Sequence, residues 1–473
     1  MTRDEAEAIY DQGKEAVIAL LLKMDATINP LAARVQALED RLSKDSHNSS
    51  KPPSRDPPFR PFKKPQSLQQ KSGKKSGGQP GHAGKTLRPS DTPDHVHEYA
   101  PLTCQGCGHS LADQPPARTE RRQVFELPPL RLQVTEHRAH TIVCPGCGCA
   151  NAGRFPRGVA QPVQYGPGLS GLCVYLQQYH LLPFERLSEL LCDLSGAAVG
   201  EGTLWSLTRR CQSALAPVQE AIRSALVRGA VLHSDETGMR LGKRLAWLHV
   251  YSTERLTLYA WHKRRGKAAM QEIGVLPAFA GTAIHDGWNG YFAFANCSHA
   301  LCGAHLLRDL VFVEERFGQA GIWAKAMKSL LQAMKAGADL ARASGHAQAD
   351  GLDAFLSRYA AILQGGYGTN PDPPSGEKAS FSLCLLDRFR DWRTCICRFA
   401  EAVSVPFDNN QAERDLRMAK VRQKVSGCFR SEAGADAFCV IRGYLSPLKK
   451  QGIALLPALQ SAFEGRLTMP ALA

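Results

Sequence analysis

Residues 403–430, VSVPFDNNQAERDLRMAKVRQKVSGCFR, contain the helix on which the interpretation of the whole chain depends. Pro406 ends the preceding segment, and Asp408 has, with the glutamine three residues later, the spacing of a helix-capping pair. The pattern therefore predicts a helix that begins at about Asn409. Glu413 lies in the first turns of this helix, so its carboxylate should be held on a rigid element.

One face of this helix should be buried, because Ala412, Leu416 and Ala419 recur at helical spacing. The other faces are basic, and we assign DNA binding to four of their side chains: Arg414, Arg417, Lys420 and Lys424. An ordinary alternative is that Glu413 only pairs with Arg417, which would contribute about 0.2–0.5 kcal/mol. Asp408 is a competing acidic side chain, although a capping role accounts for it.

Two earlier segments also carry a carboxylate at a predicted strand end. AVLHSDETG (230–238) is an apolar β-prone run that should end at Asp235, before a Thr-Gly turn. TAIHDGWNGY (282–291) repeats this design with Asp286. An aspartate at the end of a buried strand is costly unless it is solvated or bound to something. Glu236 should face away from Asp235, and the histidines at 233 and 285 are interpreted as core residues.

The segments between these two carboxylates complete a pattern of elements. LAWLHVYS (245–252) and RLTLYAWH (255–262) indicate two strands, and GKAAMQEIGVL (266–276) indicates a helix. The predicted order is therefore strand, strand, strand, helix, strand. Together with the late helix that carries Glu413, this order resembles the ribonuclease H-like fold of DDE transposases.

Motifs spread along most of the chain make the resemblance more specific. They resemble the bacterial insertion sequence 66 family of transposases, and they are NSSKPPS (48–54), GGQPGHAGKTL (77–87), SDETG (234–238), HDGW (285–288), CGAHLLRDL (302–310) and DNNQAERDLR (408–417). The resemblance implies that Asp235, Asp286 and Glu413 are catalytic and hold two Mg²⁺ (or Mn²⁺) ions. It also implies an enzyme that cuts transposon ends and joins their 3′-hydroxyls to target DNA, with small companion proteins as possible partners.

Composition agrees with a multidomain DNA-binding protein. The chain has 473 residues and a formal net charge of +14, which favours a polyanionic partner. No apolar run is long enough for a membrane span, so we expect a cytoplasmic protein with no membrane partner. Its 15 cysteines are interpreted as metal ligands and reduced core thiols.

The N-terminal residues 1–43 are predicted to be helical. A stripe at alternating spacings of four and three predicts either a coiled coil that forms a homo-oligomer or a helix packed on its own chain: Val17, Leu21, Met24, Ile28, Leu31, Val35, Leu38 and Leu42. Because proline disfavours a helix interior, two helices should meet at Asn29–Pro30. Residues 44–95 are poor in aliphatic side chains and rich in lysine and arginine, which predicts a disordered basic linker that binds phosphates.

Residues 96–160 contain two Cys-x2-Cys knuckles, whose spacing is typical of a tetrahedral zinc site: Cys104, Cys107, Cys144 and Cys147. QVFELP (123–128) and RLQVTEHRAHTIV (131–143) should form a hairpin between them. Cys302 and His305 also have ligand-like spacing. Because that pair lacks two partners, it is interpreted as a structural or DNA-positioning motif and not as a second zinc site.

The remaining segments complete the predicted domain order. Residues 161–225 should be helical and resemble a helix-turn-helix, with Arg209 and Arg210 as DNA-binding residues. The ribonuclease H-like core should then occupy 226–318 and 400–445, with a mostly α-helical insertion at 319–399 that is broken at 365–376, and a C-terminal helical segment at 446–473. Two other functions remain possible: a structure-selective DNA nuclease, or a catalytically inactive zinc-containing regulator.

The knuckles generate a prediction about zinc. Replacing Cys104 and Cys107 with serine should lower the zinc content by one ion per chain and unfold residues 100–155, because the metal supplies most of the stability of so small a module. The catalytic core should stay folded. Metal analysis and limited proteolysis test this, and protein purified without chelator that contains no zinc would contradict it.

Overall fold

A computed structural model describes residues 3–43, 86–196 and 198–472. Helix α1 (Arg3–Tyr10) is followed by α2 (Lys14–Ser43), which runs through Pro30 without a break. The predicted division at Asn29–Pro30 is therefore wrong. Continuing through the proline loses one backbone donor, whereas ending and restarting the helix would leave several backbone groups at each new end without a partner. Most of the predicted linker, residues 44–85, lies outside the described residues.

The knuckle region has little regular structure. Strand β1 (Thr141–Val143) pairs antiparallel with β2 (Ala150–Ala152) across the second knuckle. The hairpin predicted between residues 123–128 and 131–143 is not formed. The observed pairing closes a much shorter loop, because the knuckle itself turns the chain, with Cys144 N donating to Cys149 O at 2.9 Å.

A five-stranded mixed sheet lies at the centre of the chain. Its strands are β3 (Val231–Leu241), β4 (Arg244–Ser252), β5 (Thr257–His262), β6 (Thr282–His285) and β7 (Ser298–Leu301). Their order is β5-β4-β3-β6-β7; β3, β4 and β5 are antiparallel to one another, whereas β6 runs parallel to β3 and β7 parallel to β6. The predicted strands, including the one that ends just before Asp286, are confirmed.

Asp235 lies inside β3, so the strand end and the Thr-Gly turn predicted after it are wrong. The strand continues to Leu241 because β4 pairs with it along its length, from His233↔Ser252 to Leu241↔Arg244. The turn comes instead at Gly242, whose φ of +56° lies in the left-handed region that favours glycine.

Helices cover both faces of this sheet. They are α3 (Pro167–Val174), α4 (Phe184–Ser195), α5 (Glu201–Val227), α6 (Lys267–Ile273), α7 (Gly303–Arg316), α12 (Asn410–Ser426), α13 (Glu432–Lys450) and α14 (Leu455–Phe463). Side chains of α5 pack with Leu232 and Leu258 on one face. On the other face, Met239 and Leu248 pack with α12. Side chains alternate along a strand, so Asp235 shares the α12 face with Met239.

The segment between α7 and α12 is helical, as predicted. It consists of α8 (Ile322–Ala343), α9 (Leu352–Thr369), α10 (Phe381–Asp391) and α11 (Arg393–Glu401), and it has its own core around Trp323 and Phe389. The break lies at 370–380, later than predicted. A Cβ on Gly366 of α9 would lie 2.6 Å from a side-chain carbon of Leu386 on α10, so this glycine allows the two helices to pack closely.

A buried polar network fixes α12 against the sheet and α13. The Asp415 carboxylate accepts hydrogen bonds from Lys450 Nζ at 2.9 Å and from Thr257 Oγ1 at 3.2 Å. Tyr259 OH donates to the backbone oxygen of Asp415 at 2.9 Å, and Lys450 also donates to the backbone oxygens of Thr253 and Leu256. The polar groups are thus paired away from water, as burial requires.

This network generates a stability prediction. Lys450→Met should lower the free energy of unfolding by about 3–5 kcal/mol, because it leaves the Asp415 carboxylate buried without its cation. Adding Asp415→Asn should recover part of the loss, since a neutral amide needs no counter-charge. Thermal unfolding of both variants tests this; a double variant less stable than Lys450→Met would contradict it.

Candidate active site

Asp235 and Asp286 lie side by side because of the register of two parallel strands. His233 of β3 pairs with Ile284 of β6. Asp235 and Asp286 each lie two residues further along the chain from this pair, so they lie next to each other. The backbone then turns at Gly287, whose φ is +89°, and Trp288 N donates to Asp286 Oδ1 at 2.9 Å. Parallel pairing therefore brings together two carboxylates that are 51 residues apart in sequence.

The two carboxylates interact electrostatically. Burial and the neighbouring charges of Glu236 and Asp286 together raise the pKa of Asp235 to about 8. His305 and the backbone N–H of Glu236 oppose this shift. The Glu236 N–H donates to Asp235 Oδ1 at 2.8 Å. Within the described part of the chain, Asp235 is thus a half-buried acid whose acidic neighbours outweigh the opposing charge of His305.

Asn409 attaches the helix of the third carboxylate to β3. This asparagine is 1 % exposed, its Nδ2 donates to Ser234 O at 2.8 Å, and its Oδ1 lies 2.9 Å from His233 Nδ1. Its backbone N–H donates to Cys302 Sγ at 3.2 Å, and its backbone oxygen accepts from Glu413 N at 3.2 Å. One buried residue therefore joins β3, the start of α7 and the first turn of α12.

Glu413 faces the start of α7. Its Oε1 lies 3.8 Å from His305 Nδ1, and the alternative ion pair with Arg417 is not formed among the described residues. Burial lowers the pKa of His305, but the charges of Cys302 and Glu413 outweigh it and raise the pKa to about 9. His305 thus interacts electrostatically with the carboxylates of both β3 and α12.

The start of α12 differs from the predicted capping pair in two respects. The N-cap residue is Asn409 and not Asp408, but Asp408 Oδ1 still accepts from the backbone N–H of Asn410, the first helical residue, at 3.0 Å. The Gln411 side chain does not return to the start of the helix; its Nε2 donates to Asp415 at 3.2 Å. Ala412, the predicted first residue of the buried stripe, is fully buried.

Glu236 faces away from Asp235, as predicted. Its buried carboxylate accepts from Arg265 Nε at 2.7 Å and from the hydroxyl of Tyr291. The Arg265 guanidinium lies between the rings of Trp247 and Trp288, at 5.0 and 4.5 Å from their centroids. Burial raises the pKa of both adjacent carboxylates, but Glu236 is in direct ion-pair contact with Arg265, whereas no such contact is formed by Asp235 among the described residues.

Both neighbouring histidines are satisfied core residues, as interpreted from the sequence. Burial lowers the pKa of His233, although its hydrogen bond to Asn409 acts in the opposite direction. Burial also lowers the pKa of His285 to about 3. His285 Nδ1 accepts from Gly287 N at 3.1 Å, while its Nε2 lies 3.1 Å from a ring nitrogen of His299.

The basic residues assigned to DNA lie on exposed surfaces. Arg414, Arg417, Lys420 and Lys424 are exposed on α12, and Arg209 and Arg210 are exposed on α5. Arg422 differs from them, because its guanidinium packs 3.6 Å from the ring centroid of Phe429. The predicted pair of helices exists as α4 and α5, but α5 continues to Val227 and contributes to the core; its DNA-binding role remains a prediction.

Each cysteine knuckle is shaped as a metal-binding turn. Gly108 N donates to Cys104 O and Gly148 N to Cys144 O, both at 2.9 Å. Backbone N–H groups of residues 106 and 107 lower the pKa of the Cys104 thiol, and those of 146 and 147 lower that of Cys144. Lowered thiol pKa values favour the thiolate that binds metal. The two knuckles do not converge into one cluster of thiols in the described structure.

One cluster within residues 3–43, 86–196 and 198–472 brings three potential ligand atoms within 4.8 Å of one another. Its members are Cys302, His305 and Glu413. The sequence interpretation found no further partner for the Cys302-x2-His305 pair, whereas α12 brings a third potential ligand atom, on Glu413, close to it. The spacing of the pair was visible in the sequence, but the approach of Glu413 and the role of Asn409 depend on contacts about a hundred residues away.

Comparison with known families identifies the chain. Residues 162–437, more than half of it, match the model of the transposase IS66 family. The protein is a member of the IS66 family of transposases. Residues 101–148 of this transposase match the zinc-finger binding domain of transposase IS66, which supports a zinc ion at the knuckles. Residues 1–88 match a family of unknown function.

No curated protein matches the transposase. Among its described helices, none combines the length and the apolar character that crossing a membrane would require. The family assignment and the zinc-finger match suggest DNA as the partner. The part of the chain that matches the family includes Asp235, Asp286 and Glu413.

The contrast between Asp235 and Glu236 generates a prediction. Asp235→Asn should raise the stability of the metal-free transposase by about 1 kcal/mol, because it removes a buried charge opposed by its neighbours. Glu236→Gln should lower it by about 1–3 kcal/mol, because Arg265 loses a charged acceptor. Thermal unfolding in chelator tests the pair, and shifts of the same sign would contradict the assignment.

Proposed function

We propose that this transposase cuts the ends of its insertion sequence and joins the 3′-hydroxyls to target DNA at a site formed by Asp235, Asp286 and Glu413. One observation carries the proposal. The β3–β6 register places two aspartates side by side, and α12 directs Glu413 toward the histidine that interacts with Asp235. His305 interacts with Glu413 and acts on Asp235, which supports a site to which the sheet and α12 both contribute.

The strand order supports a ribonuclease H-like core. Three antiparallel strands are followed by a helix and by two strands parallel to the first, which gives the order β5-β4-β3-β6-β7. Asp235 and Asp286 lie just beyond the paired residues of the parallel strands β3 and β6. Glu413 lies on α12, which packs over the face of the sheet that Asp235 shares. This arrangement is the one that the resemblance to DDE transposases implies.

The donor set fits Mg²⁺ or Mn²⁺. Carboxylate oxygens are the ligands these ions prefer, and Asp235 is buried among acidic neighbours that raise its pKa. Glu413 Oε1 is buried without a hydrogen-bond partner. Asp235, Asp286 and Glu413 would hold the ions. Two bound ions would supply activation of the attacking hydroxyl and neutralisation of charge at the leaving oxygen.

The chain's own residues position these groups and the DNA. Asn409 bonds to β3 and so holds the start of the helix that carries Glu413. The Trp288 N–H orients Asp286, and the ion pair between Glu236 and Arg265 fixes the residue of β3 that follows Asp235. Exposed lysines and arginines on α12 would contact phosphates beside the site. The exposed apolar stripe of α2 supports self-association. Companion proteins of the same element remain possible partners.

Glu413→Gln tests the proposal, because it preserves side-chain shape and helix propensity but removes the charge that a metal ligand requires. DNA binding should persist, whereas cleavage of a labelled transposon end in Mg²⁺ should fall by orders of magnitude. Asp408→Asn is the matched control. Its side-chain oxygen can still accept from Asn410 N, so cleavage should stay close to that of the wild type.

Several outcomes would change the assignment. Normal cleavage by Glu413→Gln together with an inactive Asp408→Asn would show that Asp408, and not Glu413, is the third catalytic carboxylate. Cleavage of branched DNA without end specificity would indicate a structure-selective nuclease. Binding without cleavage by the wild type would indicate a regulator that has lost its chemistry.

A further inference from the structure

The start of α7 and the first turn of α12 meet in a cluster whose thiol and imidazole have no part in DNA cleavage by three carboxylates. Cys302 is the N-cap residue of α7, and His305 follows in its first turn. Cys302 Sγ, His305 Nδ1 and Glu413 Oε1 lie within 4.8 Å of one another. Thiol, imidazole and carboxylate together make a mixed set of donors, unlike the oxygen-only set of a magnesium site.

The distance within this cluster suits a shared metal ion better than a hydrogen bond. His305 Nδ1 and Glu413 Oε1 are 3.8 Å apart, beyond hydrogen-bonding distance. Zinc–nitrogen and zinc–oxygen bonds are about 2.0–2.2 Å long, so two ligand atoms of one tetrahedral ion lie about 3.4 Å apart. The observed separation exceeds that distance by a few tenths of an ångström, which a small side-chain movement would remove.

The same two atoms are buried without a hydrogen-bond partner in the described structure. Leaving a buried polar atom unpaired costs about 1–3 kcal/mol, so two adjacent unpaired atoms that approach each other need an explanation. An ion between them would satisfy both atoms. Both already lie on rigid elements, and Asn409 joins those elements through hydrogen bonds.

The sulfur of Cys302 is held at the start of α7. Cys302 is buried, is the N-cap residue of α7, and its Sγ accepts the Asn409 backbone N–H at 3.2 Å. Binding of a metal to this sulfur would release the thiol proton to solvent.

We propose that Cys302, His305 and Glu413 form a second metal site for a zinc-type divalent ion, distinct from the cysteine knuckles. Sulfur and imidazole donors select zinc over magnesium, and three protein ligands leave one coordination position open. The ion would fix Glu413 at the edge of the proposed catalytic site. The inference thus extends the proposed function through Glu413, but metal binding can be measured without cleavage.

The first test is the zinc content of the full-length protein purified without chelator. The wild type should contain two zinc ions per chain. Cys302→Ser should contain one, as should the variant in which Cys104 and Cys107 are both serine. Cys384→Ser, a control at an exposed cysteine outside both sites, should contain two. One zinc in the wild type, with no further loss in Cys302→Ser, would overturn the proposal.

The second test is cobalt absorption in the full-length chain with Cys104 and Cys107 replaced by serine. This protein should bind one Co²⁺ with tetrahedral visible bands and a thiolate charge-transfer band. Adding Cys302→Ser should remove the thiolate band, and adding His305→Gln instead should weaken Co²⁺ binding at least about tenfold. The histidine variant decides the question if the serine variant fails to fold. A thiolate band and an affinity that both survive these changes would refute the site.

Failure of this inference can be separated from failure of the proposed function. Zinc content that does not depend on Cys302 or His305, with cleavage still dependent on Glu413, would refute only the second metal site. Normal cleavage by Glu413→Gln, with zinc content still dependent on Cys302 and His305, would refute only the catalytic assignment.

Discussion

The geometry of the candidate site depends on one buried amide, that of Asn409. Its side chain bonds to β3 immediately before Asp235, and its backbone bonds to the thiol that begins α7 and to Glu413. A buried amide is favourable only when its donors and acceptors are paired, so these contacts permit a narrow range of positions for α12. The Asp415–Lys450 network fixes the same helix two residues beyond Glu413. Together the two networks set the distance between the carboxylates of the sheet and of the helix.

Direct ion pairing distinguishes the buried acids that support the fold from Asp235, although burial raises the pKa of both Glu236 and Asp235. Glu236 and Asp415 are buried beside a cation and contribute to the fold. Asp235 is buried among acidic neighbours and His305, and it would be more favourable as a neutral side chain. Local destabilisation of this kind is expected where a site must bind cations, because the energy is recovered when the ligand is present. Because successive side chains of β3 point to opposite faces of the sheet, Glu236 can stabilise the fold while Asp235 faces the candidate active site.

The helical segment from α8 to α11 explains how the third carboxylate can be 127 residues beyond the second. These helices pack around their own apolar core, which also includes side chains of α7. The chain therefore leaves the sheet after β7 and returns at Phe407, whose backbone oxygen accepts from Gly303 N at 2.8 Å. A Cβ on Gly303 would lie 2.2 Å from the Phe407 ring, so the glycine permits this close return.

Local sequence patterns were sufficient to predict the strands, the α12 helix, the helical insertion and the knuckles, because hydrophobic period, capping residues and ligand spacing act over a few residues. They also supplied the family resemblance that the comparison confirms. They did not predict that β3 continues past Asp235, that α2 runs through Pro30, or where α9 ends. At these places, hydrogen bonds or packing outweigh local propensity. The pairing of Asp235 with Asp286 depends on strand register, and the meeting of Cys302, His305 and Glu413 depends on the docking of α12. Those placements were decided only by the tertiary structure, because the atoms that fix them belong to segments 51, 107 and 175 residues apart, whose mutual contacts no local pattern records.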